Sequence, residues 1–167
     1  YIHYDSFGMD EITGFSETVD GQIWVSSHSG IYLLDPMTNK VQQYDENVSE
    51  MIYSLADDQK DKCLWLGTSG GLRRLNYAGN GKIENPFSSE MLPDGAIRDV
   101  ILDTYNNLWF SVSNRIFCYT NSAHELKEIN SGIPNKQLLF STTRCKTNGK
   151  QYVIFGGTNS LLLIDPQ

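Results

Sequence analysis

The side chains of this sequence that could do chemistry are few and scattered. Its three histidines, His3, His28 and His124, stand far apart, and none has a second metal ligand at a short fixed spacing. A transition-metal site needs three or four convergent ligands. The sequence therefore predicts no metal site and no cofactor. His28 stays a candidate ligand contact, because it follows a predicted strand at a turn.

Two further segments resemble chemical sites only superficially. The acidic run 57–61 lacks the alternating Asp/Asn spacing, the glycine and the distal Glu of a calcium loop, so we expect a solvated turn. The run 67–71 is rich in glycine, but no Lys follows it and it lies between predicted strands, so it does not predict a phosphate loop. No nucleophile-elbow pattern occurs, although a Ser-His-Asp site assembled by the fold is not excluded by sequence alone. We predict no catalytic residue.

Arg73 and Arg74 form the one basic pair inside a predicted strand. Successive strand residues face opposite ways, so only one of the two can point to a given face. One interpretation is that one arginine covers a sheet edge while the other is solvated. The alternative is that one of them grips a carboxylate or sulfate of a ligand.

Composition limits the function classes. The 167 residues carry a net charge of −7, which argues against a nucleic-acid or anionic-membrane surface. Three cysteines at irregular spacing, Cys63, Cys118 and Cys145, lie in apolar strand patterns and predict buried free thiols. The sequence begins at Tyr1 within a strand-like segment, and we expect it to be a piece of a longer protein.

The elements that would position these residues repeat along the chain. Trp24, Trp65 and Trp109 stand 41 and 44 residues apart, and Ile154 occupies the same place 45 residues further on. Each closes a short apolar strand before a turn of small residues. Strand-rich repeats of about 40–50 residues are typical of β-propeller blades. We predict an all-β propeller fragment of about four four-stranded blades, with units at 8–46, 47–90, 91–132 and 133–167.

The repeated residues have structural explanations. A large aromatic residue at the end of the second strand of a blade fills the wedge between neighbouring blades. Gly30 and Gly71 follow at the turn, where we expect a positive φ or a close approach. Arg115 and Ser160 replace this glycine in the third and fourth copies.

The two ends of the chain predict an assembly. Residues 1–7 are predicted to form an outer strand of a preceding or closing blade, and the final unit has three strands. An open arc would leave strand edges and blade faces exposed to water. We therefore expect a homodimer or a higher assembly.

The repeats also resemble a known family. The strings LWLGTSGGLRRL (64–75) and IWVSSHSGIY (23–32) look like the two-component regulator propeller repeat, and FGGTNSL (155–161) is similar to the last blade of that family. The repeat fills the extracytoplasmic sensor region of hybrid two-component histidine kinases, most familiarly in Bacteroides-type bacteria. The resemblance implies a non-enzymatic periplasmic sensing module, followed in its parent by an immunoglobulin-like domain, a membrane span and a kinase. It also suggests carbohydrate-derived ligands, such as oligosaccharides.

Two other functions remain open. One is a propeller lyase or hydrolase with an active site in the channel, and the other is a protein–protein interaction scaffold. For a sensing module, we expect ligand contacts on the face that carries the turns after the second strands and the links between blades. The candidate contacts are His28, Ser29, Ser69, Arg73, Asn114, Arg115 and Asn159.

Overall fold

The computed structural model describes residues 3–4, 11–28, 30–45, 49–79, 81–130 and 139–166. Their regular structure consists of strands, with no helix. The strands form four separate antiparallel sheets in chain order, and each sheet is called a blade below. This confirms the predicted all-β architecture.

Among the described residues, each of the first three blades contains four strands, and the fourth contains three. Blade 1 comprises β1 (Ile12–Glu17), β2 (Ile23–Ser27), β3 (Ile31–Asp35) and β4 (Lys40–Asp45). Blade 2 comprises β5 (Ile52–Asp58), β6 (Cys63–Thr68), β7 (Gly71–Asn76) and β8 (Ile83–Glu84). Blade 3 comprises β9 (Val100–Leu102), β10 (Asn107–Val112), β11 (Arg115–Thr120) and β12 (Glu125–Ile129). Blade 4 comprises β13 (Leu139–Thr147), β14 (Lys150–Gly157) and β15 (Ser160–Ile164).

The burial of each strand follows from its place in the arc. Every residue of β6 is buried, because this strand lies inside its blade and is covered by a blade on both sides. The outer strand β12 is mostly exposed and lies at a blade edge. Tight hairpins use left-handed residues such as Asn106 and Asn114, with φ of 65° and 62°.

The antiparallel strands place successive turns at opposite ends of the blades. The upper face carries the described residues of the turns after the second strand of each blade (28, 30, 69–70, 113–114 and 158–159) together with the described parts of the links between blades. The lower face carries the turns after the first strand of each blade (18–22, 59–62, 103–106 and 148–149). These two names are kept below.

The core lies between blades. Trp24 packs with Leu55 and Leu64 where blade 1 meets blade 2, and Trp65 packs with Val100 and Phe110 where blade 2 meets blade 3. In the next interface, Trp109 packs with residues of blade 4, including Val153 and Phe155. The tryptophans therefore fill successive inter-blade wedges.

The blades form an open arc. The inner strands β1, β5, β9 and β13 contact one another in this order, and the described residues of β13 form no comparable contact with β1 that would close a ring. Ile154 occupies the tryptophan position of blade 4, on the face with no following blade in the described structure. Leu161 and Leu163 are 66 % and 48 % exposed. The end of the arc thus presents apolar side chains to solvent.

The sequence pattern predicts strands over 96–102 and 82–87, and both are shorter in the structure. Strand β9 begins only at Val100. The N–H of Ile97 donates to the carbonyl of Thr68 at 2.9 Å, so this segment binds the end of blade 2 instead of pairing with β10. The strand expected over 82–87 is reduced to β8, because Pro86 has no N–H to continue a ladder.

The predicted outer strand over residues 1–7 lies mostly outside the described residues. Only His3 and Tyr4 are described, and neither belongs to a strand. The Tyr4 hydroxyl donates to Asn39 Oδ1 at 3.0 Å, and its ring packs near Val25 and Leu34 of blade 1. Tyr4 thus contacts the outer face of the first blade.

Candidate functional site

The predicted ligand contacts belong to the upper face, where the structure distributes them over four blades. Ser69 and Arg73 come together, since Ser69 Oγ accepts from the N–H of Met51 at 3.1 Å and Arg73 pairs with the neighbouring Glu50. His28 is next to them, because its carbonyl accepts from the N–H of Ile52 at 3.1 Å.

The other predicted contacts lie on blades 3 and 4. Asn114 lies in the β10–β11 turn and Arg115 begins β11, while Asn159 lies in the β14–β15 turn with a φ of 59°. Ser29 lies outside the described residues. The structure therefore brings His28, Ser69 and Arg73 together where blades 1 and 2 meet. The other described contacts lie apart from them on blades 3 and 4.

Both predicted arginines are paired with carboxylates of this chain. Arg73 binds Glu50, whose other oxygen accepts from the Thr68 hydroxyl at 2.6 Å. Arg115 binds Glu128 in a bidentate pair at the surface, and this hydrogen bonding holds the pKa of Glu128 below its usual value. Beside Arg73 there is a cavity of only about 50 Å³. A ligand anion would have to displace the internal carboxylate from either arginine.

Arg74 points away from this cluster. Its guanidinium carbon lies 5.4 Å from the centre of the Trp65 ring, in the interface between blades 2 and 3. Arg74 thus covers the wedge tryptophan, while Arg73 takes the other direction, as alternation along a strand requires.

The two turn glycines of the repeat have different surroundings. Gly71 has a φ of 118°, a conformation that a side chain would strain. At Gly30, a Cβ atom would lie 2.8 Å from the Tyr32 hydroxyl oxygen, so that position has little room for a side chain.

The larger cavity is near the lower face, between blades 1 and 2. Its volume is about 170 Å³. The turns β1–β2 and β5–β6 supply its polar rim, and aromatic residues of β2, of β4 and of the turn that follows β7 supply its apolar wall. The lining residues used below are Thr18, Asp20, Trp24, Tyr44, Asp57, Lys62 and Tyr77.

Packing among aromatic rings fixes this wall. The Tyr44 ring meets the Trp24 ring edge-on at 4.8 Å between centroids, and the Tyr77 ring lies 5.2 Å from Trp24 on another side. Trp24 is only 2 % exposed, so the wall belongs to the inter-blade core.

Two residues that line this cavity each have a buried, unsatisfied polar atom. The indole Nε1 of Trp24 and the carboxylate Oδ2 of Asp57 have no hydrogen-bond partner among the described residues. One is a donor and the other is an acceptor. Buried polar groups are nearly always paired in folded proteins, so two on one cavity mark an unusual site.

The other oxygen of Asp57 is occupied. Asp57 Oδ1 accepts from the Tyr77 hydroxyl at 3.0 Å. The Gln59 amide lies close enough to lower the pKa of Asp57, and its Nε2 also donates one of its two N–H groups to the carbonyl of Glu17 at 3.2 Å. Burial outweighs these effects and raises the pKa of Asp57 above its usual value. Burial, followed by the hydrogen bond to Asp57, also raises the pKa of Tyr77.

All three cysteines are free thiols, but Cys145, which the sequence predicts to be buried, is only half-buried. Cys63 and Cys118 are buried free thiols, and burial raises the pKa of each to about 11. Both are therefore protonated at neutral pH, where a thiolate would be the nucleophile. Within the described ranges, no three His, Cys, Asp or Glu residues are grouped so that they could hold a metal ion.

The sequence did not predict the lower cavity. A signal was available in the strand register, since Thr18 stands where the next two blades have Asp58 and Asp103. Three copies of a divergent repeat are difficult to align without the structure, however, because this position precedes the wedge tryptophan by seven residues in blade 2 and by six in the other two blades.

Comparison with known proteins places this arrangement among solved folds. The sequence matches no protein-family model and no curated protein. The extracellular domain of a putative hybrid two-component system from Bacteroides thetaiotaomicron is similar over 99 % of this chain and 24 % of its own, with a TM-score of 0.74 and 21 % identity. The fold is that of a β-propeller.

Two further structures show how widely this fold is used. The extracellular domain of a putative one component system from B. thetaiotaomicron is similar over 91 % of this chain and 21 % of its own, with a TM-score of 0.67 and 20 % identity. Virginiamycin B lyase from Staphylococcus aureus is similar over 96 % of this chain and 57 % of its own, with a TM-score of 0.67 and 15 % identity. The chain thus spans about a quarter or less of the two extracellular domains, and the likeness shows the fold.

No helix among the described residues is long and apolar enough to cross a membrane.

Proposed function

We propose that this chain is a non-enzymatic ligand-sensing propeller module from the extracytoplasmic region of a hybrid two-component sensor histidine kinase. The observation that carries the proposal is the likeness to the extracellular domain of a putative hybrid two-component system, which extends over 99 % of the chain. The resemblance of segments 23–32 and 64–75 to the repeat of such sensors supports it independently.

The proposed ligands are carbohydrate-derived, and the proposed location is the periplasm. Signalling needs a ligand that favours one of two states of the protein. The blade interfaces suit this purpose, because a ligand bound between two blades contacts both and favours one relative placement. In the parent protein, this change would pass through an immunoglobulin-like domain to the kinase.

The proposed partners also include a second copy of this chain. Each wedge position of the first three blades is buried against the next blade, whereas Leu161 and Leu163 of blade 4 remain exposed. A second copy packed on this face would bury these residues.

Binding of carbohydrates by the isolated chain tests the sensing role. Thermal melts with a panel of neutral and acidic oligosaccharides are expected to show a saturable rise in melting temperature for a subset of them. A ligand at 100 times its Kd stabilises a folded state by about 2.7 kcal/mol. Circular dichroism first checks that the chain has folded β structure. If no oligosaccharide of the panel then raises the melting temperature, the proposal is contradicted.

The similarity to a lyase calls for a parallel assay. Quinupristin, which is present in the solved structure of an inactive variant of that enzyme, is incubated with the chain and with added divalent cations, and its chromatographic retention is followed. We expect it to be unchanged. Conversion of quinupristin would replace the sensor proposal with an enzymatic one.

A further inference from the structure

We propose that the lower cavity between blades 1 and 2 binds a single neutral, hydroxylated six-membered ring, such as one monosaccharide unit. The inference deepens the proposed function, on which the signalling role of the site rests. The chemistry of the site follows from Trp24, Asp57 and the residues around them.

The three wedge tryptophans differ in the acceptor that their indole N–H groups face. In blade 3 the indole N–H of Trp109 donates to Asp103 Oδ2 at 2.8 Å, and in blade 2 Trp65 Nε1 lies 3.5 Å from Asp58 Oδ2. Each aspartate stands two residues after the residue that pairs with the tryptophan in the ladder. A carboxylate at the end of the inner strand thus accepts from the wedge tryptophan in both blades.

Blade 1 departs from this rule at one position. Trp24 pairs with Ser16, so the equivalent place is Thr18, whose hydroxyl accepts from the N–H of Gln22 at 3.1 Å. Asp103 Oδ1 accepts from Asn107 in the same way, at 2.9 Å. The threonine therefore keeps the turn but cannot supply the second oxygen, and the N–H of Trp24 is left as a buried donor without an acceptor.

The unsatisfied acceptor of the cavity lies on blade 2, opposite Trp24 of blade 1. Asp57 belongs to β5 and lines the same cavity, with Oδ1 held by Tyr77 and Oδ2 unsatisfied. Leaving a buried polar group unpaired destabilises the folded state. A ligand that satisfies both atoms would recover part of the lost stability and would bridge the two blades.

The unsatisfied pair selects the chemistry of the ligand. An ammonium group can donate to Asp57 but has no lone pair to accept from Trp24. A carboxylate can accept from Trp24, but it would enter a cavity that Asp20 and Asp57 line against the single cation of Lys62. A hydroxyl group both donates and accepts, so two hydroxyls on one ring satisfy both atoms without adding charge.

The size and the walls of the cavity fit one ring. A cavity of about 150 Å³ in another protein holds a benzene molecule, and the volume here is about 170 Å³. Tyr44 and Tyr77 supply apolar surface for the carbon–hydrogen faces of a pyranose. Larger oligosaccharides would have to extend out of the cavity at the lower face.

Binding of simple sugars tests the inference. Saturation-transfer NMR on the chain would use D-glucose, D-galactose, D-mannose and D-xylose, with D-glucuronate as the charged counterpart. We expect one or more neutral pyranoses to bind with a Kd of about 1 mM, or −4.1 kcal/mol, and glucuronate to bind at least tenfold more weakly than the matching glucose.

Two variants test the site itself. Trp24→Phe removes the N–H while it keeps an aromatic ring, and Thr18→Asp supplies the carboxylate that the other blades already have. Both are expected to weaken pyranose binding at least tenfold, and a thermal melt checks that Thr18→Asp folds as stably as the parent. Trp109→Phe is the matched control, because it removes a wedge N–H far from the cavity and should leave binding unchanged.

The outcomes separate this site from the wider function. Sugar binding that survives both Trp24→Phe and Thr18→Asp would overturn the site and leave the sensing proposal intact. A second outcome is that no pyranose binds and that neither variant affects oligosaccharide binding. This would overturn the site and show that the two polar atoms form hydrogen bonds with water only. Absence of binding by all carbohydrates would contradict both proposals.

Discussion

At the scale of single residues, the blades differ at positions where one copy of the repeat has another residue type than the other copies. Thr18 replaces an aspartate, and the consequence is a buried indole N–H without an acceptor at a cavity wall. Asp57 is the complementary case, a carboxylate whose second oxygen lacks a donor. The repeated residues build the scaffold, and the exceptions create the candidate site.

Asp57 gives a prediction about pH. Its pKa is raised in the folded state, chiefly by burial, so ionisation above the ordinary value of 3.8 favours the unfolded chain. The stability contribution is complete below pH 3.8 and is lost as the pH rises through the folded pKa. Asp57→Asn cannot ionise, and its side-chain oxygen still accepts from Tyr77. We expect this variant to melt at a higher temperature than the parent at pH 7.

Melts between pH 3 and pH 7 check this expectation. The advantage of Asp57→Asn should shrink towards acid pH, although Asp58, Lys62 and Tyr77 also affect the titration of Asp57. A variant that is less stable than the parent at pH 7 would show that the carboxylate is stabilised in the fold.

At the scale of elements, the blades are joined by apolar wedges and by buried polar contacts at the lower face. Asp58 of blade 2 accepts from Asn106 Nδ2 at 2.9 Å and from Asn121 Nδ2 at 2.6 Å, and both donors belong to blade 3. Asp58 thus joins the two blades while it also faces the indole of Trp65. Hydrogen bonds to a carboxylate are directional, so they fix the orientation of one blade relative to the next more closely than apolar packing alone.

The wedge role of tryptophan can be tested at Trp65. This side chain is 2 % exposed between blades 2 and 3, so Trp65→Ala leaves a large cavity in the interface. We expect the free energy of unfolding to fall by about 3–5 kcal/mol, measured by denaturant titration. Phe15→Ala is the control, because Phe15 is 78 % exposed and its loss removes little packing. A loss below about 1 kcal/mol for Trp65→Ala would mean that the wedge is not a main source of stability.

At the scale of the whole molecule, apolar side chains reach solvent at both ends of the arc, since Phe15, which pairs with Val25 in blade 1, is 78 % exposed. Tyr4 packs on the outer face of blade 1, whereas Leu161 and Leu163 of blade 4 face solvent. Exposed apolar surface of this kind favours association. The wedge position of blade 4 is Ile154, so its outer face has the apolar residues that a following blade or another chain would cover.

Light scattering at micromolar concentration tests the expected assembly. We expect a mass that is a multiple of 18.9 kDa, and we expect Leu161→Asp with Leu163→Asp to shift the protein to the monomer. Met37→Asp is the control, because Met37 is 91 % exposed in a turn of blade 1, away from the uncovered face. A parent chain that scatters as an 18.9 kDa monomer would contradict the proposed self-association.

The blade architecture could be predicted from the sequence because it depends on patterns of residues that are close together in the chain. Strand, turn and tryptophan recur at 41 and 44 residues, and each repeat has to bury its apolar faces against its neighbours. The all-β class, the repeated blades and the three-stranded last unit follow from this periodicity. The shortening of β9 does not, because it depends on the Ile97 N–H bonding to Thr68 in another blade.

The candidate site was decided by the tertiary structure alone. The sequence pattern favoured the upper face, since residues near its turns, such as Arg73 and Arg115, carry recognisable chemistry. It could not show that Glu50 and Glu128 already pair with them. Nor could it show that Trp24 and Asp57, 33 positions apart, line one cavity with unsatisfied atoms. Local periodicity determines which elements form. Whether a polar side chain is free to bind depends on partners that only the packing of one blade on the next brings into contact.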